Sequence, residues 1–145
     1  MNEPTQKLSA AIELLERSLS MYFEGNSYFA ALHLAGGAEE VLGAYVERQG
    51  HESSFKSLQA GAVKISQILP DGTGSSPKDI GDIMNYAKNR TKHINKEGDD
   101  DVHFDPKVEA LDLLNRAVSN YYMLMRYYNL PETELIGRFN TELRA

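Results

Sequence analysis

One segment of the chain combines residues that could bind a phosphate and transfer a proton. Residues 88–96 carry four cations and one histidine without an acid. Residues 97–105 carry five acids and no lysine or arginine. Cations attract phosphate oxygens, and an imidazole exchanges protons near neutral pH. The basic half of this segment is therefore the first candidate for a functional site.

Helical spacing groups the side chains of the basic half on two faces. Asn89 and His93 are four residues apart and Arg90 is three from His93, so an amide, a guanidinium and an imidazole share one face. Lys88 and Lys92 share a neighbouring face. Cations around His93 disfavour its protonated form, which leaves the imidazole available as a base. A solvated basic helix end, which suits the negative end of the helix dipole, is the alternative interpretation.

The acidic half of the segment predicts a connector rather than a metal site. It lacks the ligand spacing of a calcium-binding loop and the final glutamate of that motif. Asp100 and His103 have the spacing of a metal-binding pair, but they fall in this loop and not on a helix. We expect Asp105 to cap the next helix and the loop to fold back over the neighbouring cations. No metal or other cofactor is expected.

Six helices are predicted from apolar residues that recur every three or four positions. Ser76-Pro77 and Asp105-Pro106 are strong helix starts, because serine and aspartate cap a helix and proline suits its first turn. No segment alternates with a period of two over the length of a strand, so the fold class is all-α, an up-and-down bundle of five main helices and a short C-terminal one. One domain is expected over 1–145. The predicted helices are 5–24, 27–49, 54–69, 77–93, 106–129 and 131–144.

Two glycine-containing segments call for an explanation. Gly36 and Gly37 lie inside the second predicted helix, where each costs about 1 kcal/mol relative to alanine. We expect an unusually close helix crossing there, packed tightly inside one subunit, with a ligand against the backbone as the alternative. This step and the sixth predicted helix also offer self-complementary patches, so a symmetric homodimer is expected. Residues 70–76 predict a linker, since no strand precedes their glycines and no Gly-Lys-Ser/Thr follows them.

Composition bounds the remaining possibilities. The chain has 145 residues, 41% hydrophobic and 25% charged, with a net charge of -6 and no cysteine. The negative charge argues against sequence-specific binding of duplex DNA and against an anionic membrane surface. Without cysteine there is no disulfide scaffold, and the polar residues 1–7 are unlike a signal peptide. A cytoplasmic location without membrane association is the expectation.

Three stretches are similar to one family. Residues 88–93, Lys-Asn-Arg-Thr-Lys-His, resemble the Arg-Asn-x-x-Lys-His form of the arginine and histidine motif of the HEPN (higher eukaryote and prokaryote nucleotide-binding) superfamily. Residues 31–43 resemble the second helix of small bacterial HEPN-like proteins, and residues 109–121 resemble their last long helix. The order and spacing of these stretches carry the resemblance over most of the chain.

The resemblance implies a helical bundle that dimerises with two motif helices facing each other across a cleft. It also implies a ribonuclease that needs no metal, in which the histidine assists attack by a ribose hydroxyl and the arginine stabilises the transition state. By position, His93 is the catalytic histidine, Asn89 its polar neighbour and Lys88 stands where the arginine belongs. Lysine lacks the planar fork of a guanidinium, and Arg90 is the candidate to replace it.

Two functions follow from the sequence. The first is a catalytically degenerate HEPN-like dimer that binds RNA, a nucleotide or a partner protein. The alternative is a metal-independent endoribonuclease of the toxin type, in which His93 acts with Lys88 or Arg90. The net charge and the lysine at position 88 favour the first. The candidate ligand-binding residues are Lys88, Asn89, Arg90, Lys92 and His93.

Overall fold

The computed structural model describes residues 5–69 and 74–143, and this part of the chain is all-helical without a strand. This confirms the predicted all-α class. Part of the predicted linker, 70–73, lies outside the described residues. The seven helices are α1 Lys7–Glu24, α2 Tyr28–Arg48, α3 Ser54–Ile68, α4 Pro77–Met84, α5 Tyr86–Lys92, α6 Pro106–Leu124 and α7 Glu134–Glu142.

Three long helices build the core. α2 packs along both α1 and α6, and α7 closes one side of the bundle against α1. Because the apolar residues of each long helix recur at helical spacing, they form one stripe per helix that the neighbours bury. No helix in the described ranges is long and apolar enough to cross a membrane. Fully buried members of the core include Leu15, Leu19, Leu32, Leu42 and Leu114.

Local signals set most helix ends. The Ser76 hydroxyl accepts a hydrogen bond from the Asp79 amide at 3.1 Å, and the Asp105 carboxylate accepts one from the Lys107 amide at 2.9 Å. Gly25 ends α1 with a φ of 82°, in the left-handed region that glycine adopts without strain. These contacts confirm the predicted starts of α4 and α6.

The helix predicted over 77–93 is instead two helices that meet at Asn85. Asn85 departs from helical geometry with φ and ψ of -101° and 6°. The Arg116 guanidinium donates to the Met84 carbonyl at 3.4 Å. In a continuous helix that carbonyl accepts from the amide of residue 88, so the contact with α6 favours the break.

The chain also turns earlier than predicted after its longest C-terminal helix. The prediction extended that helix to 129, but α6 ends at Leu124, whose carbonyl accepts from the Tyr128 amide at 3.0 Å in a tight turn. The turn lets the Tyr121 hydroxyl donate to the Pro131 carbonyl at 2.5 Å. α7 then begins at Glu134, after a Thr133 cap, rather than at 131.

The two patches predicted for a dimer are used inside the subunit. A Cβ atom on Gly36 would lie 2.7 Å from Cδ of Lys88, so the glycine makes room for the lysine stem. The step is tightly packed inside the subunit, as predicted, but the neighbour that needs the space is a side chain of α5 and not the backbone of a crossing helix. Ile136 and Phe139 of α7 are fully buried in the core. A dimer would therefore need another surface.

Candidate functional site

A cavity of about 370 Å³ lies where α2, α5 and the loop after α5 meet. α2 contributes His33, and α5 contributes Arg90 and Thr91. His93 lines the same cavity from the first position after α5. The rest of its wall comes from Phe29, Ile94, Asp99, Asp100, Asp101 and Val102. Two of the predicted site residues, Arg90 and His93, are thus brought together.

His93 and Asn89 do not share a helix face. α5 ends at Lys92, and His93 has an extended backbone with φ and ψ of -135° and 145°. We predicted that the Asn89 amide and the His93 imidazole share a face because they would be four residues apart in one helix. The helix ends one residue before His93, so this spacing does not apply. Asn89 is exposed and is absent from the lining of the cavity that contains His93. Lys92 is also exposed.

Arg90 is held by the acidic loop. Its guanidinium donates to the Asp99 carboxylate at 2.6 Å, and Asp99 also accepts from the Asn95 amide at 3.0 Å. The Asp99 side chain is only 3% exposed, whereas that of Arg90 is 29% exposed. The loop therefore folds back on the basic helix at this arginine, as expected from the sequence. The guanidinium also lies 5.8 Å from the centre of the Tyr86 ring.

His33 gives the cavity a second imidazole. Burial lowers the pKa of His33 below its ordinary value, and the positive charge of Lys92 lowers it further. The sequence suggested an effect of neighbouring cations for His93, and the structure shows it at His33, where burial is the larger cause. The neutral form of His33 can accept a hydrogen bond with one ring nitrogen and donate one with the other.

Lys88 lies apart from this cavity. Its side chain is 6% exposed and its ammonium donates to the Glu40 carboxylate at 2.5 Å. The ammonium is also 3.7 Å from the Glu39 carboxylate. The hydrogen bond from Lys88 is the largest cause of the lowered pKa of Glu40. Lys88 lines a different cavity of about 240 Å³, where it is committed to these two carboxylates.

Glu39 and Arg116 complete a buried charge cluster that includes Lys88. The Arg116 guanidinium is 3.7 Å from the Glu39 carboxylate, and both side chains are 4% exposed. Burial raises the pKa of Glu39, and the charges of Arg116 and Lys88 oppose this shift. A buried charge of this kind is tolerated only when it is paired.

Sequence reasoning assigned no role to Glu39 or Arg116, although a signal for their burial exists. Glu39 lies four residues after Ala35 and three before Leu42, on the apolar face of α2. Arg116 lies three residues after Leu113, on the buried face of α6. A charged residue on an apolar stripe must find a partner, so two such residues of opposite sign predict a pair.

The site chemistry is that of an arginine and two imidazoles beside a row of aspartates. Among the described residues, no group of three or more His, Asp or Glu side chains is placed to hold a metal ion. The cavity offers hydrogen-bond donors to an anion through Arg90 and the imidazoles, whereas the Thr91 hydroxyl donates to the Ala87 carbonyl. Asp99 accepts from one terminal nitrogen of the guanidinium and neutralises the charge that an anion would need. An incoming anion must therefore compete with this carboxylate.

Comparison with known proteins found no matching family model, no similar curated protein and no similar solved structure.

Proposed function

We propose that the chain is a HEPN-like binding protein that takes the phosphate of RNA or of a nucleotide in the cavity of His33, Arg90 and His93, without cleaving it. The observation that carries this proposal is the burial of Lys88. The lysine stands where the family motif has its arginine, and its ammonium is engaged by Glu40 and Glu39. An ammonium that is paired with two carboxylates in a different cavity is not placed to stabilise charge on a phosphate beside His93.

Three features of the cavity support binding of a phosphorylated ligand. Its volume of about 370 Å³ falls near the lower end of the range of roughly 300–1,000 Å³ for ligand cavities. Arg90 supplies a planar fork that matches phosphate geometry. Phe29 lines the cavity with 44% of its surface exposed, which offers a face on which a base can stack.

Asp99 regulates access to Arg90 in this proposal. The carboxylate and a ligand phosphate compete for the same guanidinium, so binding exchanges one ion pair for another. Asp99→Asn removes the competing charge while it keeps an oxygen for the Asn95 amide. Asp99→Asn should therefore bind the ligand more tightly than the wild type. If Asp99 only held the loop in place, its substitution would not strengthen binding.

We also propose a homodimer, with the two copies in contact beside their cavities. An exposed apolar cluster borders the cavity, with Phe29 44%, Tyr86 45%, Ile94 79% and Val102 38% exposed. Phe104 joins the cluster through ring contacts with Phe29 and Tyr86 at 6.2 and 6.3 Å. A contiguous patch of this kind is a common mark of a protein interface. Contact there would bring two cavities close together.

One observation favours the second candidate function, a metal-independent endoribonuclease. His33 and His93 line the same cavity, and cleavage through a ribose hydroxyl needs one group to remove a proton and another to supply one. Arg90 would then stabilise the anionic transition state after Asp99 has released it.

Binding of RNA tests the proposed function directly. The probe is a fluorescently labelled single-stranded RNA of about ten nucleotides, within the range that one binding domain covers, and anisotropy is measured in EDTA at low salt. Arg90→Ala should weaken binding by roughly tenfold or more, because it removes charge-assisted hydrogen bonds to phosphate. Arg138→Ala is the matched control, since Arg138 is half-exposed on α7 and pairs with Glu142.

Intact RNA after incubation distinguishes the two functions. The binding proposal expects full-length RNA together with a lowered affinity of Arg90→Ala. Cleavage in EDTA that disappears in His93→Ala would instead establish the ribonuclease. Equal affinities of wild type, Arg90→Ala and Asp99→Asn for the RNA, repeated with a fluorescent adenine nucleotide, would overturn the assignment of this cavity.

A further inference from the structure

α3 lies on the outside of the bundle with an apolar stripe turned partly to solvent. No residue of α3 is buried. Leu58, Ile65 and Leu69 are 54%, 59% and 49% exposed. Such a stripe normally packs against a core, so its exposure calls for another partner. The apolar positions of the stripe are Phe55, Leu58, Ala62, Ile65 and Leu69.

Two residues of the stripe line a groove of about 550 Å³ between α3, α4 and α6. Leu58 and Ala62 line it from α3, and Ile83, which is 70% exposed, lines it from α4. The groove is distinct from the His33, Arg90 and His93 cavity, with which it shares no lining residue.

The α6 wall of the groove is acidic. Glu109 and Asp112 line it, and burial raises the pKa of both carboxyl groups. No cation among the residues that the structure describes lies within ion-pair distance of either carboxylate. Arg116 also lines the groove and its charge opposes the raised pKa of both carboxyl groups, but its guanidinium is shared with Glu39 and the Met84 carbonyl. Two partly desolvated carboxylates thus share one cation that also serves Glu39.

The spacing of the stripe indicates what shape of partner fits. Its five apolar residues are separated by three, four, three and four positions, which is the repeat that packs one helix along another. We propose that this groove binds a basic amphipathic helix of another protein. The apolar face of that helix packs on Leu58 and Ile83, and its lysines or arginines meet Glu109 and Asp112.

A second copy of the chain fits the groove less well. The residues that flank the stripe on α3 are Gln59, Gly61 and Ser66, and none of them is a cation. A two-fold contact through this face would bring two sets of Glu109 and Asp112 into one interface without neutralising them. Like charges in a desolvated contact oppose association, so charge complementarity selects a basic partner.

The test uses a designed peptide as the probe. A labelled helix-forming peptide of roughly 18 residues, about five turns, carries leucines along one face and lysines on both flanks. Its binding to the full-length protein is measured by fluorescence anisotropy at several salt concentrations. A peptide of the same composition with its leucines distributed around the helix serves as the first control, because it keeps the charge and loses the apolar face.

Two sets of variants locate the binding site. Ile83→Ser should weaken binding by about tenfold, the order expected for an apolar residue at the centre of an interface. Ile68→Ser, at an exposed isoleucine of α3 that does not line the groove, should leave the affinity unchanged. Asp112→Asn should weaken binding and reduce its salt dependence, whereas Glu13→Gln, at an exposed carboxylate of α1, should change neither.

Three results would overturn the proposal. One is equal binding of the designed peptide and its redistributed control, which would show attraction by charge alone. The second is wild-type affinity of both Ile83→Ser and Asp112→Asn. The third is self-association of the protein that Ile83→Ser abolishes, which would make the groove an interface between two copies of this chain.

Discussion

The buried Lys88 lies between two carboxylates. Glu40 accepts a hydrogen bond from Lys88, and Glu39 lies within ion-pair distance of it. Removal of one partner of a buried ion pair leaves the other charge uncompensated. Lys88→Ala should therefore destabilise the protein by about 3–5 kcal/mol in chemical denaturation at neutral pH. Lys92→Ala, an exposed lysine of the same helix, should change the free energy of unfolding by less than about 0.5 kcal/mol.

Acidic pH should reduce the difference in free energy of unfolding between wild type and Lys88→Ala. The folded pKa of Glu40 is lowered from its ordinary value of 4.5, so its pair with Lys88 contributes stability above that pH. The contribution is lost as the pH falls through the lowered folded pKa, because Glu40 is then protonated in both states. Denaturation curves at a series of pH values measure the difference. A difference that stays constant from neutral pH to well below pH 4.5 would contradict the assigned ion pair.

His33 reports the electrostatics of the candidate cavity. Its folded pKa lies below the ordinary value of 6.5, first because of burial and then because of Lys92. Lys92→Gln should raise the pKa of His33 but leave it below 6.5, since burial remains. An NMR titration of the imidazole measures this shift. Because the unfolded state binds the proton more tightly, this histidine also lowers stability as the pH falls through 6.5.

Two helical glycines should respond in opposite ways to alanine. Gly36→Ala places a methyl group 2.7 Å from Cδ of Lys88, and overpacking of this kind costs about 1–3 kcal/mol. Gly61→Ala in α3 meets no atom within 4 Å, so it should gain about 0.5–1 kcal/mol from helix propensity. Thermal unfolding of the two variants measures the contrast. A stabilised Gly36→Ala would show that the lysine stem is free to move aside.

Helix starts were predictable because their signals are local. Ser76 and Asp105 each bond to an amide two or three residues away, so a short stretch of sequence contains both partners. The break between α4 and α5 was not predictable in the same way. It involves Arg116, which reaches the Met84 carbonyl from 32 residues further along the chain. Apolar periodicity continues across that position and gives no sign of the break.

The same distinction applies to the candidate site. Arg90 and Asp99 are only nine residues apart, in the segment 88–105 whose first half is basic and whose second half is acidic. The sequence therefore predicted that the acidic loop folds back over the cations. The burial of Lys88 depends on Glu40, 48 residues away, and on the space left by Gly36. Neither Glu40 nor Gly36 lies in the basic run of residues 88–96, so the composition of that run could not predict the burial. His33 joins the cavity for a similar reason, since α2 and α5 meet only in the folded chain.

The distribution of charge over the whole molecule matters more for association than its net value of -6. Near the candidate cavity, exposed cations at the end of α5 lie next to exposed aspartates of the following loop. Two copies related by a two-fold axis can therefore set the cations of each against the acids of the other. A negatively charged chain can in this way associate with itself beside the Phe29, Tyr86, Ile94 and Val102 cluster.

The proposed dimer gives a prediction for the assembled molecule. Light scattering at tens of micromolar should yield twice the mass of one chain, and the mass should fall toward that of a monomer as salt screens the charge pairs. Ile94→Asp should give a monomer at low salt, since it puts an unpaired carboxylate into the apolar contact twice, once from each copy. Ile83→Asp, which changes the α3, α4 and α6 groove instead, should remain dimeric. A wild type of monomer mass would refute the dimer, and dissociation by Ile83→Asp alone would move the interface to the groove.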